Sequence, residues 1–329
     1  MVLFFCYFFF FGIAESLFLF RKPIKFSSNE KILLISLLFL SVSTFGVSII
    51  NDTGLGRASN FFGLIMAFPI YYFVKRNLPS DRFLWAGVII GALLGIIISL
   101  SQLYLYGASY RANGVNNPII FGDLAIALGI LSLAAYELFK KNNRWLVSIP
   151  VFSLISGVVA SVLSMSRGGW ITLPVIFLVF IWYAPRYISL KPVLISIFIL
   201  VLVFFGIYQT PQIGLQYRVE VTFSEINDYF QSTDVNDSTK STSLGIRFEQ
   251  WKVAWLIFKE FPVVGGGWAE FQENAQEWID KGVVNASSAI FSHPHNQYFS
   301  SMAKGGFVGL LGTLALFILP AFIFFRALK

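Results

Sequence analysis

Two histidines near the end of the chain are the residues best suited to acid–base chemistry. His293 and His295 lie within the segment Ser-His-Pro-His-Asn at residues 292–296, where a long polar stretch meets an apolar one. These are the only two histidines of the chain. Because imidazole titrates near neutral pH, a histidine here could take the proton from an attacking hydroxyl. The competing interpretation is a structural or interfacial histidine.

Two arginines accompany the histidines. Arg167 stands in the turn Ser-Arg-Gly-Gly with Gly168 and Gly169, and it is the only charge between two apolar blocks. The glycines allow a tight turn and a close backbone approach to a ligand. A charge at such a position is costly in a membrane and often functional, although an arginine extending toward lipid headgroups would have the same sequence signature.

Arg247 begins the second arginine motif, which continues to Trp251 and then through Pro262 to the glycine run at 265–267. The pattern predicts an amphipathic helix on the membrane surface over 246–261, ended by the proline. The glycine amides beyond it could face an anion. The alternatives are a helix stop with a linker, and an arginine that only pairs with Glu249 or Asp228.

Together these groups predict a transfer reaction onto a hydroxyl. Arginine binds phosphate oxygens through a planar and permanently charged fork, and a histidine can serve as the base. A donor activated by phosphate or pyrophosphate fits this set. Asp123 either lines a polar cavity facing the arginines or is a hydrogen-bonded structural acid. There is no clustered carboxylate set, so neither a catalytic metal nor another cofactor is predicted.

The composition indicates the elements that must position these residues. Of 329 residues, 56% are hydrophobic and 12% are charged, about half the charged fraction of a soluble domain. The apolar blocks are long enough to cross a bilayer. We therefore predict an all-α, polytopic helical membrane protein with about nine spans, at 2–20, 32–50, 60–74, 83–106, 117–138, 145–164, 169–185, 192–209 and 305–325.

The basic residues predict the orientation of these spans. Alternate loops and the tail carry fourteen Lys and Arg residues, whereas the short loops of the opposite side carry three. Since cytoplasmic loops are enriched in Lys and Arg, the long polar segment faces away from the cytoplasm. The net charge of +7 thus reflects membrane orientation and does not indicate nucleic-acid binding. Residues 225–245, rich in Ser, Thr, Asp and Asn, are predicted to be mobile.

This orientation divides the chain into three parts. Residues 1–209 are predicted to form eight transmembrane helices, residues 210–294 a long loop with surface helices on the side away from the cytoplasm (the periplasmic side in a bacterium), and residues 295–329 the catalytic-motif helix with the final span. The N-terminus would then lie outside without a translocated domain, which suggests that a first span is missing and that the chain is a fragment.

Three motifs in this order resemble the O-antigen ligase and polymerase superfamily of bacterial envelope glycan assembly. His295-Asn296, nine residues, and then Gly306-x-x-Gly309 is similar to the ligase signature. The Ser-Arg-Gly turn at 166–168 and the helix from Arg247 through Gly267 resemble two further family motifs. The resemblance covers roughly residues 110–326. Family members usually have more spans than we count, which again suggests truncation.

The resemblance implies a GT-C-like membrane glycosyltransferase that needs no metal. Arg167 and Arg247 would hold the pyrophosphate of an undecaprenyl-pyrophosphate-linked glycan, and His295 would act on the acceptor hydroxyl. Whether His293 or His295 is the base stays open; His295 holds the motif position. Substrate contacts are expected from the neighbouring polar and aromatic residues, namely Asn296, His293, Trp251, Gly168, Gly169 and Asp123.

The implied location is the bacterial inner membrane, with the protein surrounded by membrane lipids and its active site facing the periplasm. The acceptor would be a sugar of the lipid A core in a ligase, or a second lipid-linked glycan in a polymerase. A single sizeable outer loop favours the ligase. A transporter is less favoured because the spans are nearly free of charge and show no repeat, and a non-catalytic scaffold leaves the Arg/Arg/His set unexplained.

Overall fold

The computed structural model describes residues 25–51, 64–65, 67–78, 80–115, 117–136, 139, 148–166, 169–170, 178, 194, 198, 201–202, 204–206, 208–267 and 271–327. Within these ranges the regular structure is helical, without a strand. The longer helices are α1 (Ser28–Ile50), α2 (Ala67–Arg76), α3 (Asp81–Tyr106), α4 (Pro118–Ser132), α5 (Ser148–Leu163), α6 (Leu215–Gln231), α7 (Ser243–Glu260), α8 (Phe271–Asp280) and α9 (Gln297–Ala327). Short 3₁₀ turns lie at Leu133–Ala135, Pro211–Ile213, Ser238–Ser241 and Ala286–Ala289.

Among the described helices, α1, α3, α4 with its 3₁₀ extension, and α9 are long and apolar enough to cross a membrane. The shorter α5 is also apolar. These confirm helices within the predicted spans at 32–50, 83–106, 117–138 and 145–164, and α2 overlaps the one at 60–74. The predicted spans at 2–20, 169–185 and 192–209 fall wholly or largely outside the described residues. The count of nine spans therefore stays a prediction.

The described chain divides into two compact units, one from residues within Met1–Leu78 and Thr222–Lys329, the other from residues within Pro79–Val221. The second unit packs α3, α4 and α5 through small residues. A Cβ added to Gly157 would lie 2.3 Å from the Ala125 carbonyl oxygen, so these backbones meet directly. Membrane helices commonly associate through such small residues, since lipid supplies little hydrophobic driving force between them. The division into transmembrane helices, long loop and final helices at 209/210 and 294/295 is a different one and stays a prediction.

In the first unit, α1 packs against α9. A Cβ at Gly312 would lie 2.7 Å from the Ser43 hydroxyl oxygen and 3.3 Å from the Cα of Leu40, so this crossing also needs a glycine. At the start of α1, Glu30 forms a salt bridge of 2.6 Å with Lys75 and accepts a hydrogen bond from Tyr71. The two predicted cytoplasmic loops next to α1 and α2 therefore meet.

The long polar segment of the first unit contains a folded helical cluster. Its core is formed by α7, α8 and the start of α9, with Val253, Ala254, Ile257, Phe271, Ala275, Val284 and Ala303 buried together. The predicted helix at 246–261 is confirmed as α7. Its buried face packs on protein, while Trp255 and Phe261 remain exposed.

The prediction that residues 225–245 are mobile is wrong. α6 continues to Gln231, and the turn after it is held by hydrogen bonds. The Lys240 ammonium donates to the carbonyl oxygens of Tyr229 and Ser232, and Asp237 accepts from the Ser232 hydroxyl at 2.7 Å. Polar composition suggested disorder here, but the same side chains satisfy the backbone of a tight turn.

Helix α9 is broken at Gly306, which has φ 56° and ψ −147°. The hydroxyl oxygens of Ser301 and Thr313 lie 2.6 Å apart, whereas twelve residues of continuous helix span about 18 Å. The two halves therefore fold against each other as a short arm, residues 297–305, and a long arm, residues 307–327. The long arm matches the predicted final span at 305–325, and the short arm is a separate helix.

Candidate active site

The histidine loop, residues 292–296, lies between α7 and the short arm. The His293 and His295 rings approach to 4.3 Å between centroids. His295 has φ 50°, a left-handed conformation that is uncommon outside glycine. Pro294 between them is fully buried, and its carbonyl oxygen accepts a 2.8 Å hydrogen bond from the Trp251 indole. The loop is therefore anchored at its middle residue, with a histidine on either side.

Asn296 explains why an amide follows the motif histidine. Its side-chain oxygen accepts hydrogen bonds from the backbone N–H groups of Tyr298 at 2.9 Å and Phe299 at 3.2 Å. This is the N-cap of the short arm, which satisfies amides that would otherwise lack a partner. The cap fixes His295 directly before the first turn of that helix. The side-chain oxygen of Asn296 is thus already occupied by backbone donors. A contact of Asn296 with substrate stays a prediction.

Trp251 connects α7 to the same helix. Its ring stacks on Phe299 with 5.4 Å between centroids and 8° between planes, and its N–H binds the histidine loop. Residues four apart lie on one helix face, so Arg247 stands one turn before Trp251, toward the histidine loop. In the Arg-x-x-x-Trp motif, Trp251 therefore anchors the histidine loop, and Arg247 places a positive charge on the same face of α7. For Trp251 the geometry supports positioning of the loop, and a substrate contact stays a prediction.

Burial and the nearby charges lower the pKa of both imidazoles. Partial burial lowers the pKa of His295, and the neighbouring His293 and Arg247 lower this pKa further. Burial and the charge of Lys304 lower the pKa of His293. A neutral imidazole retains one nitrogen that can accept a proton. At neutral pH this loop therefore combines a proton acceptor with the permanent positive charge of Arg247.

Phe291 packs edge-to-face on the His295 ring, with 4.7 Å between centroids and 78° between planes. Both residues keep part of their surface exposed, so the ring pair borders on solvent on one side. An aromatic contact of this kind restricts the orientation of the imidazole. Phe291 was not identified from the sequence, because aromatic residues make up 18% of the chain and one more carries no signal.

The acids proposed as partners of Arg247 have other partners. Glu249 is buried, and its carboxylate accepts from the Tyr229 hydroxyl at 2.7 Å and from the Asn285 N–H at 2.8 Å. Asp228 accepts from the Ser224 hydroxyl at 2.8 Å. Burial and the contact with Glu249 raise the pKa of the Tyr229 phenol, which therefore remains a donor. Within the described part of the chain, neither acid forms a salt bridge with Arg247.

The loop at residues 262–267, here the glycine clasp, binds the break in α9 by main-chain hydrogen bonds. The N–H groups of Gly266 and Gly267 donate to the carbonyl oxygens of Ala303 and Lys304, at 2.8 and 3.2 Å. The N–H groups beginning the long arm, of Phe307 and Val308, donate to the carbonyl oxygens of Pro262 and Val263. The expectation that these glycine amides face an anion is therefore wrong for Gly266 and Gly267.

The glycines of the ligase-like signature have a structural role in this clasp. A Cβ at Gly306 would lie 2.5 Å from the carbonyl carbon of Val263, and one at Gly265 would lie 2.5 Å from that of Lys304. A Cβ at Gly309 would lie 2.8 Å from the Ser301 carbonyl oxygen. Real Cβ atoms do not approach other atoms so closely, so these positions require glycine for the backbones to meet.

The second unit contains the turn that leads to Arg167. The Ser166 hydroxyl donates to Asp123 at 2.8 Å, and a Cβ at Gly169 would lie 3.1 Å from the same carboxylate oxygen. The predicted residues Asp123 and Gly169 are thus brought together. Of the two interpretations of Asp123, the hydrogen-bonded structural acid has this direct contact. Arg167 and Gly168 lie outside the described residues, and their roles stay predictions.

Arg111 is a residue whose role was missed. Its guanidinium donates to the carbonyl oxygens of Ser164 at 3.2 Å and Met165 at 3.5 Å, where Met165 has the left-handed φ of 55°. Its charge therefore supports the turn that precedes Arg167. The sequence did contain a signal, since Arg111 is one of only three basic residues in the short loops that are predicted to face away from the cytoplasm.

Two curated proteins resemble this chain along much of its length. An uncharacterized protein of Haemophilus influenzae is 28% identical over 312 residues, which cover 94% of this chain and 76% of that protein. The ComP-specific O-oligosaccharyltransferase of Acinetobacter baylyi is 26% identical over 248 residues, which cover 71% of this chain. The match spans only 41% of the length of the second relative.

A family model described as O-antigen ligase matches residues 151–314. This range contains the Ser-Arg-Gly turn, the α7 motif with the glycine clasp, and the histidine motif through Gly309. The family resemblance drawn from these motifs is thereby confirmed. The chain carries a domain of the O-antigen ligase family over residues 151–314.

Proposed function

We propose that this protein is a membrane glycosyltransferase that moves a glycan from a lipid-linked pyrophosphate to an acceptor hydroxyl. The observation that carries the proposal is the histidine loop, which the Trp251 indole anchors to α7 one turn after Arg247, and in which burial, His293 and Arg247 lower the pKa of His295. The O-antigen ligase domain agrees with this chemistry. By the predicted orientation, the loop faces the periplasm from the inner membrane.

The reaction needs one proton acceptor and one site for negative charge. The acceptor oxygen attacks the anomeric carbon of the donor glycan, and the bond from that carbon to the phosphate oxygen breaks. The acceptor proton passes to the free imidazole nitrogen of His295, and undecaprenyl pyrophosphate leaves with the bonding electron pair. Charge grows on the leaving oxygen, so Arg247 and Arg167 would stabilise the transition state more than the ground state.

For the acceptor we retain a sugar hydroxyl of the lipid A core as the first choice, as expected of a ligase. A lipid-linked glycan would make the enzyme a polymerase. The relative from Acinetobacter baylyi introduces a third acceptor, because its name describes O-linked transfer of an oligosaccharide with specificity for ComP; for this chain we take the corresponding acceptor to be a hydroxyl-bearing protein. All three acceptors present a hydroxyl to the same base, so the histidine loop is compatible with each.

Transfer by the purified protein in nanodiscs, from an undecaprenyl-pyrophosphate glycan, tests the proposal. Wild type is compared with His295→Ala, Arg247→Ala and Lys252→Ala, each offered lipid A core, a second lipid-linked glycan, or a hydroxyl-bearing acceptor protein. Lys252 is the matched control, since it lies on α7 beside Trp251 but its ammonium binds the Val283 carbonyl.

We expect His295→Ala and Arg247→Ala to lower kcat by about a thousandfold, as for loss of a base or of transition-state charge stabilisation. Lys252→Ala should retain the wild-type rate. The acceptor that receives the glycan separates ligase, polymerase and protein-modifying transferase. Wild-type rates in both site variants, or no product with a cognate donor and any acceptor, would contradict the proposal.

A further inference from the structure

Asn51, the last described residue of its segment, connects α1 to the glycine clasp. Its side-chain N–H group donates to the carbonyl oxygens of Val264 at 3.2 Å and Gly265 at 3.3 Å. Its backbone N–H donates to the carbonyl oxygen of Val47 at the end of α1. Asn51 is therefore the C-cap residue of α1, and its side chain contacts the clasp. One amide thus joins helix α1 to a loop more than two hundred residues later in the chain.

These two carbonyls are at the centre of the clasp. The flanking groups bind the break in α9: Pro262 and Val263 accept from the long arm, and Gly266 and Gly267 donate to the short arm. The clasp therefore caps the end of one helix and the start of the next, where backbone groups lack helical partners. Asn51 supplies the donor to the middle of this arrangement. These hydrogen bonds are partly buried, so a carbonyl group that loses its donor here costs free energy wherever water cannot replace it.

The short arm connects the clasp to His295. The short arm begins at the Asn296 cap and ends at the break, a helix about 14 Å long. Because a short helix moves as a rigid piece, a shift of the clasp moves the histidine loop relative to Arg247 on α7. The contact between Trp251 and Pro294 restrains this loop from the other side.

We propose that Asn51 is a positioning residue for glycan transfer, which acts through the glycine clasp and the short arm on His295. The inference rests on the proposed function for its kinetic consequence. The structural connection from Asn51 to His295 does not depend on the proposed function, because it concerns only the position of the imidazole ring. Asn51 itself touches no reacting atom in this scheme.

The test uses the full chain in nanodiscs, purified with a histidine-free tag and labelled with ¹³C-histidine. The ring signals of its two histidines are titrated for wild type, Asn51→Leu, Asn51→Gln and the milder Asn51→Ala. Asn227→Leu is the control, an exposed residue on α6 whose side-chain oxygen accepts a hydrogen bond from the Gln231 amide. The kcat and the donor KM are measured on the same samples.

We expect Asn51→Leu to move the pKa of His295 upward toward the ordinary histidine value, to lower kcat about tenfold, and to leave the donor KM unchanged, as for loss of one hydrogen-bonding group that acts on the base alone. Asn51→Ala should act in the same direction, whereas Asn51→Gln, which keeps the donor, and Asn227→Leu should resemble wild type. A wild-type His295 titration in both Asn51→Leu and Asn51→Ala would overturn the inference. Were the wild type itself inactive, the proposed function would fail, and the titration would still decide the role of Asn51.

Discussion

At the scale of single residues, the electrostatics of His295 determine how transfer should depend on pH. Its pKa lies below the ordinary value of 6.5 because of burial and the charges of His293 and Arg247. The base works only when neutral, so a lower pKa keeps the enzyme active at lower pH. The acidic limb of kcat/KM should therefore lie below pH 6.5.

Arg247→Gln should move this limb to higher pH, because the variant removes a positive charge that disfavours the imidazolium. It should also lower the rate, through loss of the pyrophosphate contact. The pH profile of kcat/KM is measured for the variant and for Lys252→Gln, which changes a charge on the same helix away from the loop. A limb that stays in place in Arg247→Gln would show that the charge does not act on the base.

Residue types and spacing identified His295, Arg167 and Arg247 as candidate catalytic residues, and they predicted that His295 lies next to a membrane helix. They could not show what Trp251 and Asn296 contact. Both look like substrate-binding residues in the sequence, yet the indole binds the Pro294 carbonyl and the amide caps a helix. Such short-range roles depend on backbone direction at 292–296, including the left-handed φ of His295, which residue identities do not reveal.

At the scale of elements, the break in α9 is the feature that the sequence least reveals. Residues 302–325 are almost entirely apolar or glycine, and glycine is common in continuous membrane helices. The break depends on a partner some forty residues earlier, since the clasp supplies the missing hydrogen bonds. Hydropathy located the apolar segment correctly and could not divide it into two arms.

Gly306→Ala tests this break. Alanine would carry a Cβ 2.5 Å from the carbonyl carbon of Val263 at a φ of 56°, so we expect overpacking and backbone strain to cost about 3 kcal/mol of stability and to abolish transfer. Gly305→Ala is the matched control, because a Cβ there meets nothing within 4 Å. Alanine should be tolerated at that helical position. Thermal unfolding in detergent with the transfer assay measures both, and equal behaviour of the two variants would argue against the clasp.

At the scale of the whole molecule, apolar periodicity and charge distribution predicted a helical membrane protein, and the described helices confirm the helical class. The long polar segment was harder to predict. Residues 225–245 were predicted to be mobile because charged and hydroxyl side chains usually mark solvated chain. Here Lys240 and Asp237 bind the turn, and buried Glu249 binds Tyr229 and the Asn285 backbone. Such pairings depend on the tertiary fold.

The predicted orientation can be tested because Cys6 is the only cysteine. In a Cys6→Ser background, Asn236→Cys and Asn77→Cys each introduce one exposed thiol, in the outer segment and after α2. With fourteen basic residues in one set of loops against three in the other, positive charge should hold position 77 in the cytoplasm. A membrane-impermeant maleimide should then label position 236 in intact spheroplasts and position 77 only after lysis. The reverse pattern would place the histidine loop on the cytoplasmic face, where a periplasmic acceptor could not reach it.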